Sequence, residues 1–112
     1  MENNDFILGL DETVKAIKIR SSITKNDFNE IVGRMTELTN NLVLIEKAAQ
    51  ALSLKASGGE KTPQNVKTLA VNIQECMSLI ESMQDALDKT KKNFEVHKES
   101  LESASSFLIR NI

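Results

Sequence analysis

The chain holds little that punctuates or stiffens a fold. It has no Trp and no Tyr, and its four Phe bring aromatics to 4% of 112 residues. Gly occurs four times and Pro once. Gly58, Gly59 and Pro63 fall together, so nearly all the turn chemistry sits in one place. A many-stranded β fold needs turn residues at regular short intervals and is excluded. A single Cys and a single His cannot build a Cys/His zinc site. The lone Cys also excludes an internal disulfide, so nothing calls for an oxidising compartment. Net charge is −2, with a pI near 5.4, which leaves no basic surplus for nucleic acid or an anionic membrane. No apolar run approaches the roughly 20 residues that span a bilayer. Met1-Glu2-Asn3-Asn4-Asp5 lacks the basic start and apolar stretch of a cleaved signal peptide. Export would need a route that reads another signal.

What is present is helical periodicity. Ser57-Gly58-Gly59-Glu60-Lys61-Thr62-Pro63 reads as a turn, assigned to 56–62. Either Gly can end a helix in the left-handed conformation; Thr62 suits an N-cap and Pro63 the first helical position. A long helix follows from 63 to about 107 or 108. Its stripe is Val66, Leu69, Ile73, Cys76, Ile80, Met83, Leu87, Thr90, Phe94, His97, Leu101, Ala104 and Leu108, alternating three and four. Before the turn, Phe28, Ile31, Met35, Leu38, Leu42, Ile45, Ala49, Leu52 and Ala56 alternate in the same way and predict a helix over 25–55. Thr24 and Asp27 have the spacing of a near capping box, and Ile23 could staple onto Phe28. Gly33 interrupts this helix off its stripe, at about 1 kcal/mol against Ala.

Residues 1–23 are read as a short helix over about 5–18, followed by an extended lead-in at Ala16-Ile17-Lys18-Ile19-Arg20. The fold class is therefore all-α: an antiparallel hairpin of two long helices, one domain over 1–112, with a short N-terminal helix or extended segment. Folding about Gly58 and Gly59 pairs Ile45 with the level of Asn72 and Phe28 with the level of Lys89. The second helix then overshoots the first, and residues from Phe94 onward lack a partner unless the N-terminal segment or another protein covers them.

A narrow two-helix seam buries little apolar area. Further apolar residues, Val32, Leu44, Ala48 and Ala51, then Val71, Leu79 and Ala86, lie beside it. Leu38 to Ile45 carries no charge, and neither does Thr68 to Gln74, which it faces. This uncharged waist points to docking on more helices, as a self-dimer or a hetero-complex forming a four-helix bundle. Leu38, Leu42, Ile45, Leu52, Leu69, Ile73 and Ile80 are the candidate partner-binding residues. The competing reading is a wider intramolecular core that uses residues 1–23.

No catalytic set emerges, and no cofactor or metal is expected. His97 and Cys76 both fall on the stripe, where a satisfied or buried role is expected, and Thr90 with His97 would fix register. Asp85, Asp88, Glu95, Glu99 and Glu102 alternate with lysines as on a solvated helix. Gly58-Gly59-Glu60-Lys61-Thr62 lacks the spacing and preceding strand of a phosphate loop. The chain is not expected to be an enzyme.

An Ile17-Lys18-Ile19-Arg20-Ser21-Ser22 run before a helix, and an aromatic with nearby charge late in a second helix (Phe94-Glu95-Val96-His97-Lys98-Glu99), accompany this plan. In these respects the chain resembles the small α-helical partners of LXG toxins in type VII secretion, and more broadly the Trp-x-Gly hairpin family. Ser57-Gly58-Gly59 stands in place of Trp-x-Gly. Lys98 stands four after Phe94, where the family has an acid, and Glu99 one later. The resemblance implies a targeting factor or chaperone that binds a toxin's helical LXG domain, alone or with a second small helical partner. Together they would present an export signal, with Phe94, Lys98 and Glu99 as its candidate, to a secretion ATPase. It places the protein in the cytoplasm and leaves open its export with the effector. The alternative is a self-associating coiled-coil module, a homodimer with no secretion role.

Overall fold

Gly59 is the hinge of the structure. In a computed structural model, which describes residues 2–112 and the side chains of 3–112, it is the one described residue with positive φ, at 78°. The Glu60 N–H donates to Lys55 O at 3.0 Å and the Gly59 N–H to Ala56 O at 3.1 Å. This is the paired closure that satisfies the last carbonyls of a helix through a left-handed glycine. The helix it ends, α1, runs Glu2–Ser57, and α2 runs Pro63–Arg110. Thr62 opens α2: its carbonyl accepts from the Val66 N–H at 3.0 Å, and Pro63 takes the first helical position.

The chain packs as two units, and each is a stretch of α1 against a stretch of α2. The turn unit is Ile31–Asp85. The terminal unit joins Met1–Glu30 to Ala86–Ile112. In the turn unit Arg34 Nη1 donates to Ser82 Oγ. In the terminal unit Glu30 meets Lys89, Asp27 meets Asn93, Thr24 meets His97 and Phe6 meets Phe107. Numbers fall along α1 as they rise along α2, so the stretches are antiparallel, and the observed register lies within about a helical turn of that predicted by folding at Gly58 and Gly59.

One sequence expectation is corrected. There is no short N-terminal helix with an extended lead-in, because α1 continues from Glu2 through Ile17–Ser22 to Ser57. Ile17 and Ile19 alternate as in a strand, yet on the helix Ile17 turns inward while Ile19 is exposed. Thr24 and Asp27, which resemble a cap, are inward-facing residues of the helix interior. The Thr24 hydroxyl is bonded to the His97 ring, and the Asp27 carboxylate accepts from Asn93. Nor does Ile23 staple onto Phe28, whose ring packs on Phe94 instead. At the far end of α2 the structure shows one of the two coverings left open, the N-terminal segment. The last turns of α2 pack on the first turns of α1, with the Phe6 and Phe107 rings stacked at 5.9 Å. Gly9 admits that ring, since a Cβ there would lie 2.6 Å from Phe107 Cε2.

Candidate interaction surface

Burial shows which residues form the seam. On α1 it follows Leu10, Thr13, Ile17, Arg20, Thr24, Asp27, Ile31, Arg34, Leu38, Asn41, Ile45, Ala48 and Leu52. On α2 it follows Asn65, Leu69, Asn72, Cys76, Leu79, Met83, Ala86, Thr90, Asn93, His97, Ser100, Ala104 and Phe107. Both rows alternate three and four, as heptad a and d positions do. Only the a positions coincide with the predicted stripes: Ile31, Leu38, Ile45 and Leu52 on α1, and Leu69, Cys76, Met83, Thr90, His97 and Ala104 on α2. The other predicted half sits one residue too late. Asp27, Arg34 and Asn41 on α1 and Asn72, Asn93 and Ser100 on α2 are among the true d positions. The expected apolar residues occupy position e, just outside.

The seam is consequently thin and partly polar. Cys76, Met83, Ala86 and Ala104 are its buried apolar residues, and no described side chain falls below 2% exposure. Asp27, Asn41 and Thr90 are buried polar residues. Thr24 Oγ1 and His97 Nδ1 are bonded at 2.7 Å, and Asn93 Nδ2 donates to Asp27 Oδ2 at 2.9 Å. These cross-helix pairs can exist only at one alignment, so they fix register in the terminal unit. Cys76 is buried in the packing, and His97 is half-buried there with its ring bonded to the Thr24 hydroxyl. Among the described residues no group of His, Cys, Asp or Glu could hold a metal ion, and no helix is long and apolar enough to cross a membrane.

Position e is where the apolar surface lies. On α2 it holds Val66, Ile73 and Ile80 in the turn unit and Leu87, Phe94, Leu101 and Leu108 in the terminal unit, each 41–52% exposed. On α1 it holds Met35 and Leu42 in the turn unit and Ile7, Val14 and Phe28 in the terminal unit, 39–59% exposed. Antiparallel helices bring their e positions together on one flank and their g positions together on the other. The terminal unit shows both pairings. Phe28 meets Phe94 edge to face at 5.5 Å, e against e. Glu30 and Lys89, g against g, lie 3.8 Å apart. In the turn unit Val32 and Met77 extend the same rows outward, 60% and 58% exposed. A surface hollow lined by Val32, Met35, Thr36, Thr39 and Asn40 lies beside them.

The predicted partner-binding residues are thus divided. Leu38, Ile45, Leu52 and Leu69 are half-buried in the seam, whereas Leu42, Ile73 and Ile80 stand on the exposed flank. In the terminal unit Phe94 holds the e position against Phe28, while Lys98 and Glu99 are exposed further round the helix. Met35, Val66 and Leu87 at e, and Met77 at b, are exposed apolar residues that were not among the predicted contacts. The signal of the first three was in the sequence, as the heptad row one step from the seam.

A row of large aliphatic and aromatic side chains on each of two adjacent helices can accept a further helix, knob into hole. Helix docking is the chemistry this surface supports. Compared with protein-family models, curated proteins and solved structures, the chain matches none.

Proposed function

We propose that this protein is a helical-hairpin binding partner that docks its e-position flank on the helices of another chain, completing a bundle of four helices. The observation that carries this reading is the placement of the apolar stripes. On each helix the stripe occupies a and e instead of a and d, so half of it faces the neighbouring helix and half faces outward. In the terminal unit the Phe28–Phe94 contact puts both outward halves on one side. Burying such side chains is worth roughly 1.5–3 kcal/mol each when complete, and at 39–59% exposure about half of that remains to be gained.

We further propose the role implied by the resemblance described above, that of a type VII secretion targeting factor or chaperone for a helical LXG domain. The flank supplies a surface of the right kind. Glu99 lies off the flank and would stay accessible in a complex, as an element read by a secretion ATPase must. Co-expression with the LXG-domain protein of the same gene cluster tests both parts. Co-elution on size exclusion as one heteromeric species is the expected result. Separate elution contradicts the LXG assignment. A stable homodimer that excludes the LXG protein supports the self-associating module instead.

A further inference from the structure

The charges bordering the exposed apolar rows differ between the two units. Heptad position b lies beside e, on the side away from the seam. In the turn unit the b positions hold Val32, Thr39, Glu46 and Ser53 on α1, and Ala70, Met77 and Gln84 on α2. In the terminal unit they include Lys18 and Lys25 on α1, and Lys91 and Lys98 on α2. All four lysines are exposed, and among the described residues none of them is in an ion pair. Asp11, the acid in these rows, is paired with Lys15 at 3.1 Å. Asp88, Glu95 and Glu102 stand one row further out on α2, at position f. The first charge beyond the Phe28 and Phe94 strip is therefore basic on both helices, in a chain whose net charge is −2.

We propose that the terminal-unit flank selects a partner helix whose own apolar stripe is bordered by Asp or Glu, with Lys18, Lys25, Lys91 and Lys98 receiving those carboxylates. This rests on the docking reading above and names the chemistry of the partner. A second copy of the chain does not supply that chemistry, because beside its e rows it offers only Glu46 and the already paired Asp11 as acids. An anionic bilayer has the right sign of charge. The apolar rows here, however, recur at seven-residue spacing on both helices, broken on α1 only at Ser21, which is the period of a helix packing seam, whereas a helix lying on a bilayer gathers its apolar face at 3.6.

The test uses the full chain and two synthetic helical peptides of four heptads. They share one Leu/Ile stripe and a single Trp, and are flanked by Glu in one and by Lys in the other. The chain itself has no Trp, so the peptide indole reports binding without background. The Glu-flanked peptide is expected to bind at least about tenfold more tightly at low salt, with the gap narrowing as salt screens the pairs. The variant K18E/K25E/K91E/K98E should reverse the preference. The corresponding Lys→Gln variant, which removes charge without adding repulsion, should abolish it. Equal binding of the two peptides overturns the charge selection while leaving docking intact. Binding of neither peptide counts against the docking reading itself. Binding to phosphatidylglycerol vesicles without peptide preference overturns the proposal in favour of a membrane surface.

Discussion

Phe28 and Phe94 meet edge to face across the two helices, with ring centroids 5.5 Å apart, and both remain more than 40% exposed. The pair does two things at once. It ties α1 to α2 in the terminal unit, and it presents the outer faces of two rings on the flank proposed to bind a partner. A double-mutant cycle of Phe28→Ala and Phe94→Ala, read by chemical denaturation, should give a coupling of about 0.5–1.5 kcal/mol. Phe94→Ala should also weaken partner binding. Glu99→Ala, off the flank, should leave binding unchanged while blocking export if Glu99 belongs to the signal.

Asp27 and Asn93 should prove coupled in the same way. Asp27 is 4% exposed and accepts from Asn93 Nδ2. Hydrogen bonds to charged groups contribute roughly 1.5–3 kcal/mol, and an orphaned buried partner costs about as much. Asp27→Ala should destabilise the protein by about that amount. Asp27→Ala combined with Asn93→Ala should cost less than the sum of the single changes. Thermal unfolding of the four variants checks this.

Asn41 presents the opposite case. It is 6% exposed, and its Oδ1 has no hydrogen-bond partner. Asn41→Leu should raise stability by about 1–3 kcal/mol by removing an unpaired buried acceptor. A buried Asn at a seam position is also a device that restricts packing to one register. The variant should therefore form extra oligomeric species on size exclusion. A stability gain with an unchanged elution profile would show that Asn41 has no such role.

Two glycines inside α1 should answer differently to the same change. A Cβ at Gly33 would meet nothing within 4 Å, so Gly33→Ala should stabilise by about 0.5–1 kcal/mol through helix propensity alone. At Gly9 the new carbon would lie 2.6 Å from the Phe107 ring, which must move and loosen its stacking on Phe6. Gly9→Ala should fall clearly short of the Gly33→Ala gain, as differential scanning calorimetry can show.

The long second helix, the later half of α1, the turn and the antiparallel register were legible because they depend on local chemistry: Gly59 for the left-handed residue, Pro63 for the first turn, heptad spacing for the rest. The rotation of each helix about its axis was not. Apolar spacing marks the greasiest stripe and assigns it to the seam. Here part of the seam is polar, with Asp27, Asn93, Thr24 and His97 satisfying one another, and only long-range pairs reveal that. Thr24 and Asp27 misled twice for the same reason, since a seam Thr and Asp three residues apart look like a cap until His97 and Asn93 are seen opposite them. Leu42, Ile73 and Ile80 were among the candidate partner-binding residues, yet their outward position became clear only once the seam had been placed one residue earlier.

The central claim is that the exposed e row, and not the seam, binds the partner. Light scattering on the co-expressed pair, with wild type beside the variant M35S/L42S/I73S/I80S, tests it most directly. These side chains are 41–55% exposed, so each change costs only the part that packs beside the seam, and circular dichroism checks that the variant keeps its helical content. The expected result is a heteromeric mass for wild type and two separate species for the variant. A variant that keeps both its fold and its heteromeric mass would contradict the claim.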